Sequence, residues 1–190
     1  ISNDDTRHYL NGIFLHPTES HGRNFLTGVA TDSHRLSSSS LEVNLKGDFS
    51  PIILPRKTVF QLCSLLSESN SKLSMQTTDN KVKFKLGNIK LVSKVIDGKF
   101  PDYNKVVPKN NDKSLEVSSK DFINSIERVT SVSLDRKEGV KLIISKENVQ
   151  LLVNSANSGD GNEVIKANFT SDNVTISFNS KYLIDIASEI

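Results

Sequence analysis

The 190-residue sequence has no tryptophan, a single cysteine and only five prolines. One cysteine excludes an intrachain disulfide framework, and with four scattered histidines it cannot supply the ligands of a structural zinc site. The apolar runs, such as 52–54 and 151–153, are far shorter than the roughly 20 residues that a helix needs to cross a bilayer. We therefore expect a cytoplasmic protein without membrane spans or a structural zinc site. We interpret Cys63 as a small core residue rather than a reactive thiol.

Net charge is also small. The chain carries 24 basic and 22 acidic residues, for a formal charge of +2. A strongly basic net charge would indicate a nucleic-acid partner, whereas a net charge of +2 does not. Any role in DNA binding must therefore rest on where the charges lie.

Three stretches of the chain align with one another at spacings of 63 and 61 residues. They begin at Pro55, Ser118 and Asn179. Each opens with a proline or polar start signal and continues with apolar residues at helical spacing, as at Phe122 and Ile126. The repeat predicts three equivalent amphipathic helices.

Alternating polar and apolar residues between the helices, as in 81–86, predict half-buried strands. Turn signals such as Thr78–Asn80 and Ser158–Gly161 separate them. The predicted strands are 8–16, 25–31, 35–45, 51–54, 72–78, 81–87, 89–96, 114–117, 139–145, 148–155, 163–169 and 173–178. One helix with about four strands is therefore the repeating unit of an α+β fold. Pairing these units predicts one domain at 1–103, preceded by a further helix, and part of a second at 104–190, followed by further strands.

The densest polar cluster is the segment Ala30–Leu36, which contains Asp32, Ser33 and His34. A hydrolase that uses these three residues is one hypothesis. A catalytic triad is defined by spatial geometry, however, and neighbouring side chains in a strand or turn point in different directions. An Asx-type turn at Asp32 followed by a strand explains the segment equally well.

Basic residues recur at the start of each predicted helix. They are Arg56, Lys57, Lys120 and Lys181. A cation is unfavourable near the positive end of the helix dipole, by up to about 1 kcal/mol. With Arg128, these residues could form a diffuse positive track that contacts phosphates without reading base sequence.

Four collinear motifs resemble those of bacterial beta sliding clamps, the beta subunits of DNA polymerase III. The motifs are Tyr9–Gly12, Ala30–Leu36, Pro55–Lys57 and Asp97–Tyr103. The resemblance implies the DNA-clamp fold, with helices on one face and antiparallel sheets on the other, in a subunit of three similar domains. Two subunits would form a homodimeric ring around duplex DNA. The chain would then be a non-enzymatic processivity factor that needs no metal or other cofactor, with 1–103 the middle domain and 104–190 part of the third.

The resemblance also implies two sets of binding residues. A pocket for short linear peptides of DNA polymerases, the clamp loader and repair proteins would lie between the middle and third domains. Its residues would be Arg7, Leu10, Thr31, His34, Arg35, Leu36, Pro101, Lys105, Val106, Asn179 and Tyr182, with Leu10 and Leu36 as the main apolar anchors. The residues facing DNA would be Tyr9, Arg56, Lys57, Lys120 and Lys181.

Two positions depart from the family pattern. Ser33 stands where the family often has glycine, so a positive φ there would store strain. Lys105 replaces a common arginine and lacks its planar guanidinium. A domain in which these motifs serve only packing and turns is the remaining alternative.

Overall fold

A computed structural model describes residues 1–44, 49–69, 71–133, 139–155 and 159–190. The chain divides into two compact units, Ile1–Asn104 and Lys105–Ile190. None of the helices in these ranges is both long enough and apolar enough to cross a membrane.

The described part of the first unit contains a 3-10 helix, one α-helix and two antiparallel sheets. The 3-10 helix is Asp5–Leu10, and the other elements are β1 Gly12–Ser20, β2 Arg23–Thr31, β3 Leu36–Glu42, β4 Ile52–Pro55, α1 Arg56–Ser67, β5 Leu73–Thr77, β6 Lys81–Leu86 and β7 Ile89–Lys94. One sheet has the strand order β3-β2-β1-β4, and the other has the order β5-β6-β7. A 3-10 turn at Tyr103–Lys105 marks the end of the unit.

The second unit repeats the order of a strand, a helix and three strands that β4, α1 and β5–β7 show in the first unit. Its elements are β8 Leu115–Glu116, α2 Ser119–Thr130, β9 Gly139–Ile144, β10 Asn148–Ser155, β11 Gly159–Lys166, β12 Asn168–Phe169, β13 Val174–Asn179 and α3 Ser180–Ala187. The main sheet has the order β11-β10-β9-β13, and β12 pairs with β8. This order matches β3-β2-β1-β4 strand for strand, which is what the sequence repeat predicts.

Each unit has its own apolar core. In the second unit, one cluster joins Ile126 and Val129 of α2 to the inward residues of β9 and β10, such as Leu142 and Leu151. In the first unit, one cluster lies between α1 and the sheet β5–β7, and another surrounds Leu10. Alternating strand residues and one helix face supply these cores, as the periodicity predicts.

The three predicted helices and the α+β class are confirmed, while some boundaries were wrong. The predicted strand at 8–16 begins only at Gly12, because Asp5–Leu10 forms a 3-10 helix. The predicted turn at 158–161 is also wrong from Gly159 onward, since these glycines start β11 and pair with β10. Ser158 lies outside the described residues.

Cys63 is exposed, so its interpretation as a core residue was wrong. Its neighbour Leu62 is buried in the cluster under α1. Successive residues of an α-helix are rotated by about 100° around the axis. Because Leu62 points to the core, Cys63 is directed away from it.

Candidate functional site

The four motifs found in the sequence meet around one apolar cluster of the first unit. Leu10, Val29, Ile53 and Phe100 are its buried members, and Leu36 packs against them. The backbone N–H of Arg56 donates to the carbonyl of Asn11 at 3.0 Å, which joins two of the motifs. Residues that are far apart in sequence therefore converge at one place.

Asp4 organises the 3-10 helix at the edge of this cluster. Its carboxylate accepts hydrogen bonds from the Thr6 hydroxyl at 2.6 Å, from the Thr6 backbone N–H at 2.9 Å and from Arg7 Nε at 2.8 Å. These bonds, with the Thr6 hydroxyl the largest cause, lower the pKa of Asp4 to about 2. Asp4 thereby orients the Arg7 guanidinium, which donates to the Ser33 hydroxyl.

Asp32 builds the turn between β2 and β3. One carboxylate oxygen accepts the backbone N–H groups of His34 and Arg35, both at 3.0 Å, and the other accepts Arg35 Nε at 3.0 Å. Burial alone would raise the pKa of Asp32, but these three hydrogen bonds outweigh it and leave the pKa below its ordinary value. Thr31 completes the turn by donating to the Arg35 carbonyl at 2.8 Å. The Asx-type turn expected at Asp32 is thus present.

This geometry does not favour the hydrolase hypothesis. The Ser33 hydroxyl accepts from Arg7, a permanent cation that cannot take its proton. The Asp32 carboxylate is occupied by the turn backbone and by Arg35. A triad needs an aspartate that orients a histidine, which in turn contacts the serine. Here the aspartate and the serine are each engaged with an arginine instead.

Ser33 adopts φ 77°, a left-handed conformation that is strained for a residue with a Cβ atom. The strain expected from its departure from glycine is therefore present. We predict that Ser33→Gly is more stable than Ser33→Ala by about 1 kcal/mol, because both lose the hydroxyl and only alanine retains the strain. Urea denaturation of the two variants measures this difference. Equal midpoints would contradict the assigned backbone conformation.

Leu10 and Leu36 differ in what they offer a ligand. Leu10 is 3% exposed and belongs to the core, whereas Leu36 is half-buried at the start of β3. His34 and Pro101 are exposed, and Thr31 and Arg35 are half-buried. A ligand bound to the first unit would therefore contact the Leu36 side chain, and Leu10 would pack against Leu36 from the core.

The last motif packs against the 3-10 helix through Gly98. A Cβ atom at this position would lie 3.1 Å from the Tyr9 Cβ, so glycine allows the close approach. The Phe100 ring then stacks on Phe14 with centroids 4.9 Å apart, and the Tyr103 hydroxyl bonds His16 Nε2 at 3.0 Å. These contacts hold Pro101 at the rim of the cluster.

The predicted binding residues of the second unit are less uniform. Lys105 and Val106 are exposed, and the Val106 side chain is 70% exposed. Tyr182 is half-buried on α3. The Asn179 side chain caps α3 by accepting the Lys181 backbone N–H at 3.0 Å. Asn179 therefore has a structural role that accounts for its position.

The cations at the helix starts occupy equivalent positions. Lys57, Lys120 and Lys181 are each the second residue of their helix, and all three are exposed. Lys181 also lies 3.5 Å from the Asp185 carboxylate. The guanidinium of half-buried Arg56 lies 5.3 Å from the centroid of the Phe60 ring, a cation–π contact.

Lys120 and Lys181 lie at opposite ends of a helix pair. The Ser119 hydroxyl donates to the Ala187 carbonyl at 2.6 Å, so the start of α2 meets the end of α3 and the helices run antiparallel. A 12-residue helix such as α2 is about 18 Å long. The two positive charges therefore bracket the helix pair instead of forming one cluster.

Arg128 does not add a free charge to these cations. It forms a bidentate ion pair with Glu163 of β11, and its Nη2 also donates to the buried Ser125 hydroxyl at 3.0 Å. The hydrogen bond from Arg128 is the main cause that lowers the pKa of Glu163. Because the folded-state pKa is lowered, the pair stabilises the unit at neutral pH, and this contribution is lost as the pH falls through that pKa. The charge of Arg128 is thus compensated within the unit, which counts against the prediction that it joins the positive track.

Within the described parts of the chain, no three histidine, cysteine, aspartate or glutamate side chains are grouped in a way that could hold a metal ion.

Comparison with protein families gives two matches. Residues 1–102 match the model of the DNA polymerase III beta subunit, central domain, and residues 104–190 match the model of its C-terminal domain. Among curated proteins, the beta sliding clamp of Caulobacter vibrioides is 33% identical over 195 residues, and that of Escherichia coli K12 is 30% identical over 190 residues. Both alignments cover 100% of the chain and 51% of the relative, so the chain spans about half the length of these proteins.

Solved structures show the same similarity. The sliding clamp of Bartonella birtlesii bound to griselimycin superposes with a TM-score of 0.95 at 40% identity. A Caulobacter crescentus beta sliding clamp superposes with a TM-score of 0.96 at 33% identity. Each alignment covers 100% of the chain and 51% of the solved chain. The chain therefore has the DNA-clamp fold.

Proposed function

The chain belongs to the DNA polymerase III beta subunit family, and from that premise we propose that it acts as part of a DNA sliding clamp. In this role the protein encircles duplex DNA as a homodimeric ring in the cytoplasm and tethers the replicative polymerase. It is a binding protein rather than an enzyme. We assign 1–103 to the middle domain and 104–190 to the third.

The convergence of four separate motifs on one cluster carries this proposal. Sequence order alone does not require that the 3-10 helix, the β2–β3 turn, the start of α1 and the segment Asp97–Tyr103 meet. Their meeting places the half-buried apolar Leu36 directly after the β2–β3 turn, whose Ser33 and Asp32 hold the guanidinium groups of Arg7 and Arg35. An apolar anchor point with nearby donors suits a short peptide that has an apolar side chain and exposed carbonyls.

For DNA, the equivalent helix-start lysines support sequence-independent contact. Lys57, Lys120 and Lys181 lie where the helix dipole disfavours a cation, so the dipole does not explain them. Spaced, exposed ammonium groups can contact phosphates without reading bases. Arg56 and Tyr9 remain proposed DNA-facing residues on the strength of the family resemblance.

Binding of a labelled Gln-Leu-Ser-Leu-Phe peptide tests the proposed function. We expect the protein to bind it saturably, and Leu36→Ala to lose about 2 kcal/mol, or roughly thirtyfold in affinity, because the anchor would lose its apolar contact. Arg35→Ala should weaken binding in the same direction. Fluorescence anisotropy gives both dissociation constants.

Two matched controls lie on the same sheet. Leu41 is an exposed leucine of β3, five residues beyond the half-buried Leu36, and Arg23 is an exposed arginine paired with Glu42. Leu41→Ala and Arg23→Ala should bind as the unmodified protein does, and circular dichroism should show that all four variants are folded. No saturable binding by the unmodified protein contradicts the proposed partner class. Unchanged binding by Leu36→Ala contradicts the proposed site.

A further inference from the structure

The sheet β5–β7 has one buried and one exposed face. On β6, the alternate residues Val82, Phe84 and Leu86 point into the core, where Val82 and Phe84 pack with Leu62 of α1. The intervening lysines of this strand point the opposite way and are exposed. The exposed face is therefore on the side of the sheet away from α1 and its cationic first turn.

Five lysines share this exposed face. Lys94 on β7 stands directly opposite Lys81, and Lys90 stands opposite Lys85. Between these pairs, Val92 stands opposite Lys83 and is 59% exposed. We refer to Lys81, Lys83, Lys85, Lys90, Lys94 and Val92 as the lysine face.

No acid compensates these charges within the described part of the sheet. The outward residues of β5, Ser74 and Gln76, are uncharged, and the nearest acid in sequence, Asp79, lies in the turn between β5 and β6. In the described residues, no ion pair involves any lysine of this face. Like charges directly opposite each other on a sheet are destabilising. Fold stability therefore does not account for the arrangement.

We propose that the lysine face is a docking surface for an acidic polypeptide segment in an extended conformation. Alternate residues of a strand are about 6.8 Å apart, and an extended peptide presents its alternate side chains at the same period. Carboxylates at every second position can therefore meet Lys81, Lys83 and Lys85 in register. Val92 supplies an apolar contact inside the ring of ammonium groups, as the centre of a protein interface requires.

The composition of the face disfavours other polyanions. Proteins that bind single-stranded nucleic acid combine basic grooves with aromatic side chains on which bases stack, and the lysine face contains no aromatic residue. Stable attachment to an anionic membrane needs apolar groups that insert among the lipids, and Val92 alone is too little. An acidic peptide needs only the charges, the spacing and the single apolar contact that are present.

Anisotropy of a labelled Glu-Val-Glu-Val-Glu-Val-Glu peptide, titrated with the full chain at low salt, tests the proposal. The test variant combines Lys83→Ser, Lys85→Ser and Lys90→Ser. The control variant combines Lys109→Ser, Lys146→Ser and Lys166→Ser, which removes the same charge from exposed positions elsewhere. We expect the test variant to lose about tenfold or more in affinity and the control variant to stay within about twofold. Val92→Ser should weaken binding without altering its salt dependence.

The unfolding midpoints separate binding from folding effects. Because the test variant removes the repulsion between Lys85 and Lys90, it should be at least as stable as the unmodified protein. Equal losses in the test and control variants would overturn the proposal, since net charge would then explain binding. So would no saturable binding of the peptide, or tighter binding of labelled oligo(dT) or of phosphatidylserine vesicles than of the acidic peptide. None of these outcomes depends on the Gln-Leu-Ser-Leu-Phe peptide, so the two proposals stand or fall separately.

Discussion

Gly161→Ala is expected to destabilise the second unit by about 3 kcal/mol, which is near the upper end for an overpacked core. A Cβ atom at Gly161 would clash with the carbonyl oxygen of Val129 and would lie 3.0 Å from its carbonyl carbon. Both atoms are backbone of α2, so no side-chain rotation can relieve the contact. Either β11 or α2 must move away from the core that they share.

Gly139→Ala provides the matched control in the same sheet. Gly139 begins β9, and a Cβ atom added there would have the Phe178 carbonyl oxygen as its nearest neighbour at 3.6 Å, an ordinary contact. Replacing glycine by alanine lowers the conformational entropy of the unfolded chain equally in both variants, so this effect cancels in the comparison. Urea denaturation followed by far-UV circular dichroism should give a much lower midpoint for Gly161→Ala alone. Similar midpoints for both variants would contradict the close packing of β11 on α2.

Phe84→Ala is expected to cost about 4 kcal/mol in the first unit. Phe84 is 3% exposed and packs in the cluster that joins β6 to α1. Removing the ring leaves a cavity lined by the side chains of this cluster, such as Leu62 and Val82, which relax only in part. The measurement is the loss of unfolding free energy in urea.

Val92→Ala on the neighbouring strand serves as the control for Phe84→Ala. Its side chain is 59% exposed on the opposite face of the same sheet, so its truncation should change stability by no more than about 0.5 kcal/mol. A large loss at both positions would mean that the sheet is buried on both faces. That result would contradict the exposed lysine face, whereas a small loss for Phe84→Ala would contradict the core assignment.

The parts of the fold that sequence could predict are those with local signals. The three helices show helical apolar spacing and start with proline, serine or asparagine, and β6 shows strict alternation. The 3-10 helix was missed although Asp4 is an N-cap residue followed by Thr6, which is a usable signal. The start of β11 was missed because glycines in a sequence usually indicate a turn. Gly161 instead lies in a strand, where the absence of a Cβ atom allows β11 to approach α2 closely.

The candidate site was only partly predictable, for a physical reason. Motif order identified Leu36, Arg35 and Arg7, but their relative burial depends on contacts between distant segments. Nothing local shows that Leu10 is enclosed by Val29, Ile53 and Phe100. In the same way, Arg128 finds Glu163 35 residues further along the chain. The number of charged residues in a sequence therefore does not give the number of charges that are free to bind a ligand.

Because the Cys63 thiol is exposed, α1 can be labelled with a thiol-reactive probe. Because the sequence has no second cysteine, a maleimide dye or nitroxide would attach at one known site without any mutation. The thiol lies on the helix that begins with Arg56 and Lys57, about two turns further along, so the label would report from roughly 10 Å along the helix axis from the cations proposed to contact DNA. Energy transfer from this label to a dye on a DNA duplex would measure the distance between α1 and the DNA that the protein is proposed to encircle.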